Sequence, residues 1–505
     1  MGKVNVLIEI EKEQPEAFAA FSAAMDSEFE TLKQGEDLAA NLSGLGLEVL
    51  ADVAPIPMFP AALVEHASDY FRTLNATALG ETVSAADAAG FAAFDSPTEN
   101  PDLPAETMVV SAQVELSKLE ALAGKKKIKG VYANSPLSYM CEHCGGGGSH
   151  HLGESLHSSR IEAASVSNLH PYDLARSSGG VDCRPFRQAV SIDDLRLLLG
   201  VDRVWADGFR GQNIIVGIID EGINGEFYPV IGGYNRPNSS RPIGSAQIGS
   251  HGSMCAADVL IAAPAVKLYD YPFLGIPNSG GAIEMFNAVL NQRRLDGTPH
   301  LTNNSYGFVG IPPRNPFVKQ EVYDIDHPLH RKIREVIATG CPALFAAGNC
   351  GSQCPSGRCH PSGIGPNKSI NGSSSLPEVI TVAAVNSRHE RIGYSSQGPS
   401  FPAPGFEPNK PDISSYSHFY GNFGPGRPAG GDSSSFDNGT SAATPVAAGV
   451  AALLLSAFPG LTPDRLKTAL IRGAINIGKP GWDADTGFGV TNAAASYMLL
   501  RSGVI

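Results

Sequence analysis

The chain is predicted to be an α/β protein with a mainly parallel central sheet and helices on both faces, preceded by a small α+β, ferredoxin-like module. Three observations carry this. From Ser191 onward, strand-length apolar runs alternate with helix-length stretches, the alternation that builds parallel sheets. Ile214–Ile219 is a continuous apolar run, as a strand buried on both faces requires. Before residue 135 the order is strand, helix, strand, strand, helix, strand, which matches a split βαβ arrangement.

The elements follow in order. Val4–Ile10 reads as a strand, Pro15–Leu32 as a helix and Leu47–Val53 as a second strand. After an Ala-rich, acidic insertion, Met108–Val114 alternates as a strand, Leu116–Leu122 forms a short helix and Ile128–Ala133 closes the module. This N-terminal domain spans 1–135 and holds no titratable cluster that suggests catalysis. Residues 136–190 read as a linker, with the Gly145–Gly148 tract and Ser177-Ser178-Gly179-Gly180. The domain 191–505 adds strands at Val266–Tyr271, Ala343–Ala347 and Val379–Val385. Its helices are expected at Gly252–Ala262, Gly281–Arg294, His330–Thr339, Ser441–Ala457 and Pro463–Ala474.

Composition narrows the function. With 505 residues, 42% hydrophobic and 17% charged, the chain has room for a catalytic domain plus something smaller. A net charge of -13 argues against a nucleic-acid partner, which needs a basic field. Glu9, Glu11 and Lys12 interrupt the N-terminus before a signal-peptide core could form. The longest apolar run, after Ser441, reads as too short and small-residued to span a bilayer. The default expectation is therefore a cytoplasmic protein without a membrane partner, with non-classical export as the alternative. The 8 cysteines pull the other way. Cys350, Cys354 and Cys359 crowd one loop, and spacing does not give their pairing. Cys141-Glu142-His143-Cys144, with His150 and His151, suits either zinc or a flexible thiol pair, and its Gly-rich surroundings favour the thiols.

Function in parallel sheets concentrates beyond the carboxyl ends of the strands. Gly439-Thr440-Ser441 opens a helix of small and apolar residues, with Pro445 placed in its first turn. A hydroxyl there is a helix cap, or a nucleophile beside backbone N–H groups that stabilise an oxyanion. Asp220 directly follows Ile214–Ile219, and His251 starts a candidate helix. A hydroxyl nucleophile needs such a base, and the base needs an orienting carboxylate. Asn349 ends the strand Ala343–Ala347, where its amide is either a turn residue or a second oxyanion donor.

The stretch from about Val201 to the C-terminus resembles the subtilisin-like serine proteases. The carriers are Asp220-Glu221-Gly222-Ile223, His251-Gly252-Ser253-Met254-Cys255-Ala256, Asn303-Asn304-Ser305-Tyr306-Gly307, Ala346-Ala347-Gly348-Asn349, Tyr394–Pro399, Lys410–Ile413 and Gly439–Pro445. The resemblance implies that Ser441 attacks a peptide carbonyl, His251 takes its proton and Asp220 orients the imidazole. Asn349 and the Ser441 backbone N–H would hold the oxyanion, and Ser305, Tyr306 and Gly307 would bind a peptide or protein substrate as an added strand. No cofactor or metal is needed for that chemistry, while a structural calcium, with no assigned ligands, fits the family. The N-terminal domain would be an intramolecular inhibitory propeptide, with the linker as its cleavage region. Glu221, Ser253, Met254, Ala442 and Val446 depart from the family pattern without removing a catalytic group. Two other readings are a narrow-specificity peptide-maturation protease and a catalytically silent peptide-binding protein.

Overall fold

The computed structural model describes residues 3–11, 47–50, 52–53, 55–58, 107–125, 128–140, 180–183, 189–236, 241–273, 277–421 and 437–505. The helix expected at Pro15–Leu32, Cys141-Glu142-His143-Cys144, His150, His151 and, apart from Gly180, the Ser/Gly tracts of the linker lie outside them. The chain divides into two compact units, one comprising Met1–Leu137, Gly275–Thr298 and Pro312–Gly340, the other Ser138–Leu274, Pro299–Ile311 and Cys341–Ile505.

In the first unit, β1 (Lys3–Glu11), β2 (Glu48–Val49), β3 (Ile56–Met58), β4 (Thr107–Glu115) and β5 (Ile128–Ala133) form one antiparallel sheet in the order β2-β4-β1-β5, with β3 also on β4. Setting β3 aside, that order is the one a split βαβ module demands. Alternation puts Val6, Ile8, Ile10, Val110, Ala112 and Val114 on one face, against Leu119 and Leu122 of the short helix Leu119–Ala123. The expected strand Leu47–Val53 shortens to β2, because the chain turns at Asp52 and re-enters the sheet as β3.

The same unit includes the helices Ser279–Asp296 and Pro328–Ala338. Lys332 Nζ donates to the Pro57 carbonyl at 2.8 Å, Gly280 N–H to Asn134 Oδ1 at 2.9 Å, and Arg331 pairs with Glu9 at 2.7 Å. Burial alone would raise the Glu9 carboxyl, but the Arg331 guanidinium and the Thr107 and Tyr132 hydroxyls hold it below its ordinary value.

The second unit is built on β6 (Ser138–Tyr139), β7 (Val181–Asp182), β8 (Val190–Ser191), β9 (Ile215–Asp220), β10 (Val230–Gly233), β11 (Lys267–Pro272), β12 (Leu301–Asn304), β13 (Tyr306–Gly307), β14 (Ala343–Ala346), β15 (Ile380–Val385), β16 (Arg391–Ile392), β17 (Ile413–Tyr416) and β18 (Phe419–Tyr420). The central sheet runs β10-β11-β9-β12-β14-β15-β16-β7, with β17 also on β15. All its pairings are parallel except β15 with β16. Its interior strands are buried along almost their whole length, which is why β9, β14 and β15 read as apolar runs, whereas β12 buries Thr302, Asn303 and Asn304 and gave no such signal.

Two buried helices, His251–Ala262 and Thr440–Ala457, pack side by side. A Cβ at Gly449 would overlap the Val259 carbonyl, so glycine there permits the close approach. By length and hydropathy Thr440–Ala457 could cross a membrane, contrary to the expectation that it is too short, yet 89% of it is buried inside the fold. Pro445 lies inside this helix and not in its first turn, a correction with consequences at the site. Ile192–Leu199, missed in the sequence, carries a capping box between Ser191 and Asp194.

Candidate active site

Asp220 is the last residue of β9 and His251 the first of its helix, which Ser250 caps by accepting the Ser253 N–H at 3.1 Å. Asp220 and His251 are both buried, and Asp220 Oδ1 lies 2.7 Å from His251 Nδ1. A carboxylate only accepts, so Nδ1 carries the proton and Nε2 keeps its lone pair. Nε2 is buried and has no hydrogen-bond partner among the described residues. Glu221 does not face the ring. Its Oε1 accepts the His251 backbone N–H at 2.8 Å, satisfying a free donor at the positive end of the helix.

Cys255 follows one turn later on the same helix face. Its thiol donates to Asp220 Oδ2 at 3.8 Å and to the Ser441 carbonyl at 3.7 Å. Burial, reinforced by the Asp220 charge, pushes this thiol well above its ordinary pKa, so it stays a neutral S–H. Asp220, His251 and Cys255 present ligand-type atoms within 4.8 Å of one another. Asp220 Oδ1 and His251 Nδ1 are committed to each other, and calcium takes about six to eight oxygen ligands, so the cluster does not fit calcium.

The serine side begins at Gly439, whose φ of 80° and ψ of 170° suit glycine alone. Its N–H donates to the Tyr394 hydroxyl at 2.7 Å and its carbonyl accepts from Ser417 Oγ at 2.9 Å. Pro445 has no N–H to return to the carbonyl four residues earlier, that of Ser441. Ser305 Oγ fills the gap, donating to Ser441 O at 3.1 Å. Ser441 Oγ in turn donates to the Ser305 carbonyl at 3.1 Å. The hydroxyl is therefore turned to Ser305 and makes no bond to His251 Nε2, unlike the nucleophile–base contact the sequence suggests.

Asn349 lies just beyond β14. Its Oδ1 accepts from both the N–H and the hydroxyl of Thr440, each at 3.0 Å. With the oxygen fixed, Nδ2 is aimed away, buried and without a partner among the described residues. The following loop is tied by the disulfides Cys350–Cys359 and Cys183–Cys354, a pairing that spacing alone left open.

Tyr306 and Gly307 form β13, which pairs antiparallel with β6 as Tyr306 with Tyr139 and Gly307 with Ser138. The Met140 N–H donates to Ser305 O, and the Met140 carbonyl accepts the Ser441 N–H, both at 3.1 Å. Tyr139 lies over His251 at 4.9 Å between ring centroids. Tyr306 packs its ring on Phe273 and Phe345, and its hydroxyl donates to Asn304 at 3.1 Å. Its side chain thus belongs to the core, while its backbone pairs with Tyr139. The structure brings Asp220, His251, Ser441, Asn349 and Ser305 to one place. Sequence reading missed Thr440, Cys255 and Ser138–Met140; the apolar segment just ahead of the Gly tract was the available signal for the last.

The model of the Subtilase family matches residues 211–489. Subtilisin DY from Bacillus licheniformis is 29% identical over 291 residues, 56% of this chain and 90% of that protein. A calcium-dependent protease from Trichormus variabilis is 33% identical over 180 residues, 32% of this chain and 25% of that protein. A solved structure of fervidolysin from Fervidobacterium pennivorans is 18% identical with a TM-score of 0.49, covering 88% of this chain and 60% of that one. The family match takes in β9, the His251 helix, β13, the Asn349 loop and the start of the Ser441 helix, and on this ground the chain belongs to the subtilase family of serine proteases.

Proposed function

We propose that the chain is an endopeptidase in which Asp220, His251 and Ser441 form a triad acting through an acyl-enzyme. The observation that carries this is the buried 2.7 Å Asp220–His251 contact, which leaves Nε2 bare. Cys255 reaches both that pair and the Ser441 carbonyl. Turning the Ser441 side chain from the Ser305 carbonyl toward Nε2 would complete the relay, a contact that commonly tightens only with substrate bound. His251 then takes the hydroxyl proton as Oγ adds to the peptide carbonyl, and Asp220 stabilises the imidazolium. Asn349 Nδ2 and the Ser441 N–H receive the oxyanion, a donor of this kind being worth roughly 3–4 kcal/mol. His251 returns the proton to the leaving amine, and water hydrolyses the ester. Substrate lies extended along Tyr306–Gly307.

No metal enters these steps. Calcium, named for the Trichormus relative, would serve the fold and not the chemistry. The two disulfides favour an oxidising compartment over the cytoplasm. The test is covalent: a fluorophosphonate should modify Ser441 in the native protein and not after unfolding. Absence of that adduct in folded protein ends the protease reading and leaves a peptide-binding protein.

A further inference from the structure

We propose that Tyr394, Ser417 and His418 clamp the backbone of Gly439 and through it aim the Asn349 amide, which makes all three positioning residues for the oxyanion site. This rests on the serine-protease reading above and extends the site to residues that act through Gly439 and not on the substrate.

The clamp closes on both sides of one glycine. The Gly439 N–H donates to the Tyr394 hydroxyl at 2.7 Å, and the Gly439 carbonyl accepts from Ser417 Oγ at 2.9 Å. That carbonyl and the Thr440 N–H belong to a single planar peptide group. Its N–H end donates to Asn349 Oδ1 at 3.0 Å. Holding the carbonyl end therefore sets the direction of the N–H, and the N–H decides which way the Asn349 amide faces. Nδ2 is left buried without a partner among the described residues, a donor suited to charge that develops only during reaction.

His418 completes the clamp. Its Nε2 lies 2.6 Å from the Tyr394 hydroxyl. That oxygen already accepts the Gly439 N–H, so its own proton goes to Nε2, and the imidazole is neutral with its proton on Nδ1. The phenol is thereby fixed in direction, with a lone pair turned to Gly439. Ser417 and His418 are the whole connection between β17 and β18, and His418 holds a φ of 63°, which residues with a side chain seldom adopt.

Main-chain bonds already anchor that connection. The Ser417 N–H donates to Val385 O at 2.9 Å and the His418 N–H to Asp437 O at 3.0 Å. The buried hydroxyl and imidazole are not needed to hold it, and apolar side chains would fill the space without the cost of burying polar groups. Gly439 is what they serve. The segment that carries Tyr394 also grips the Asn349 loop. Tyr394 O accepts the Gly351 N–H at 2.7 Å, the Ser396 N–H donates to Gly348 O at 2.9 Å, and Ser396 Oγ accepts the Cys350 N–H at 3.1 Å. One stretch of chain thus fixes Asn349 and Gly439 relative to each other.

The experiment is steady-state hydrolysis of a fluorogenic peptide by the full chain. Each rate is divided by the fraction of Ser441 that a fluorophosphonate labels at saturation, so that unfolded protein drops out. Tyr394→Phe keeps the ring and removes the hydroxyl. It should lower kcat roughly tenfold with KM unchanged, because the Gly439 N–H loses its acceptor. His418→Leu should cost several-fold. His418→Gln meets the same backbone conformation but restores an acceptor, and should recover most of the loss. Tyr394→Phe combined with His418→Leu should be no slower than Tyr394→Phe alone, since the imidazole acts through the hydroxyl.

The decisive comparison is made in an Asn349→Ala background. There Tyr394→Phe should cost less than about twofold, because the donor it aims is gone. Should Tyr394→Phe not fold, Ser417→Ala releases the Gly439 carbonyl alone and should show the same pattern. A full loss in the Asn349→Ala background, or a loss of stability with kcat per labelled site unchanged, overturns the proposal and spares the protease reading. So does failure of His418→Gln to recover activity. A wild type that neither labels at Ser441 nor hydrolyses peptide removes the protease reading, and this proposal with it.

Discussion

Asp220 and His251 sit 31 positions apart and meet through one strand end and one helix start. Ser441 draws its contacts from Ser305, 136 positions away, and from Met140, while the adjacent Thr440 binds Asn349 across 91 positions. The base half is a local construction: β9 delivers the carboxylate, the Ser250 cap fixes the helix, and Glu221 occupies the first N–H. The serine half is a junction of distant segments, with its N–H and hydroxyl both engaged. The difference teaches that the proposed base is oriented by neighbouring elements, whereas the proposed nucleophile takes its contacts from segments far apart in the chain.

Four substitutions would break or sharpen this contrast. Asp220→Asn attacks the base half at its one essential bond. It should lower kcat by roughly 10⁴-fold, because the amide favours the wrong imidazole tautomer. A loss below about tenfold against a peptide substrate would show that His251 is oriented otherwise. Asn349→Ala removes the oxyanion donor proposed above and should cost about 10²–10³-fold in kcat. KM should hardly change, because the donor serves the transition state, and a rise in KM alone would reassign Asn349 to substrate binding.

Thr440→Val leaves the backbone N–H on Asn349 Oδ1 but deletes the hydroxyl. That hydroxyl also accepts the Gly348 N–H at 3.2 Å, so losing two hydrogen bonds of about 1 kcal/mol each should lower kcat several-fold with KM unchanged, as for a positioning residue. Thr440→Ser should recover the loss; without recovery, the methyl and not the hydroxyl positions the amide.

The last test separates acid loss of the fold from titration of the base. His389, whose Nε2 lies 2.8 Å from the Tyr416 hydroxyl, is pushed down to about 4 by burial, from 6.5. Its cation is excluded from the fold. As pH falls from 6.5 toward about 4, the unfolded chain binds the proton first and stability drops, with a ceiling of about 3 kcal/mol. His389→Gln should flatten that slope in denaturant titrations while the pH dependence of kcat keeps its shape. An unchanged slope would put the acid lability elsewhere.

Much of this was legible because the signals are local. Apolar runs marked β9, β14 and β15, since strands covered on both faces need apolar residues throughout. The motif order marked Asp220, His251, Asn349 and Ser441 through their places at strand and helix ends. Pro445 misled as a first-turn signal, because its neighbour across the fold, Ser305, supplies the donor that a helix-interior proline withholds. The short strand β6 was also invisible, since two residues have no periodicity, and β13 was marked only by the family motif at Asn303–Gly307.

The chain by itself determined which chemistry-bearing residues exist, in what order, and at the ends of which elements. Only the tertiary structure decided that Glu221 serves a helix end and not the imidazole, that Thr440 aims the Asn349 amide, and that the Cys350 loop closes on Cys359 and Cys183. It also put the Met140 carbonyl against the Ser441 N–H. The physical reason is common to all four. A hydrogen bond or disulfide depends on ångström-scale approach between segments far apart in sequence, and composition and periodicity act only within one element.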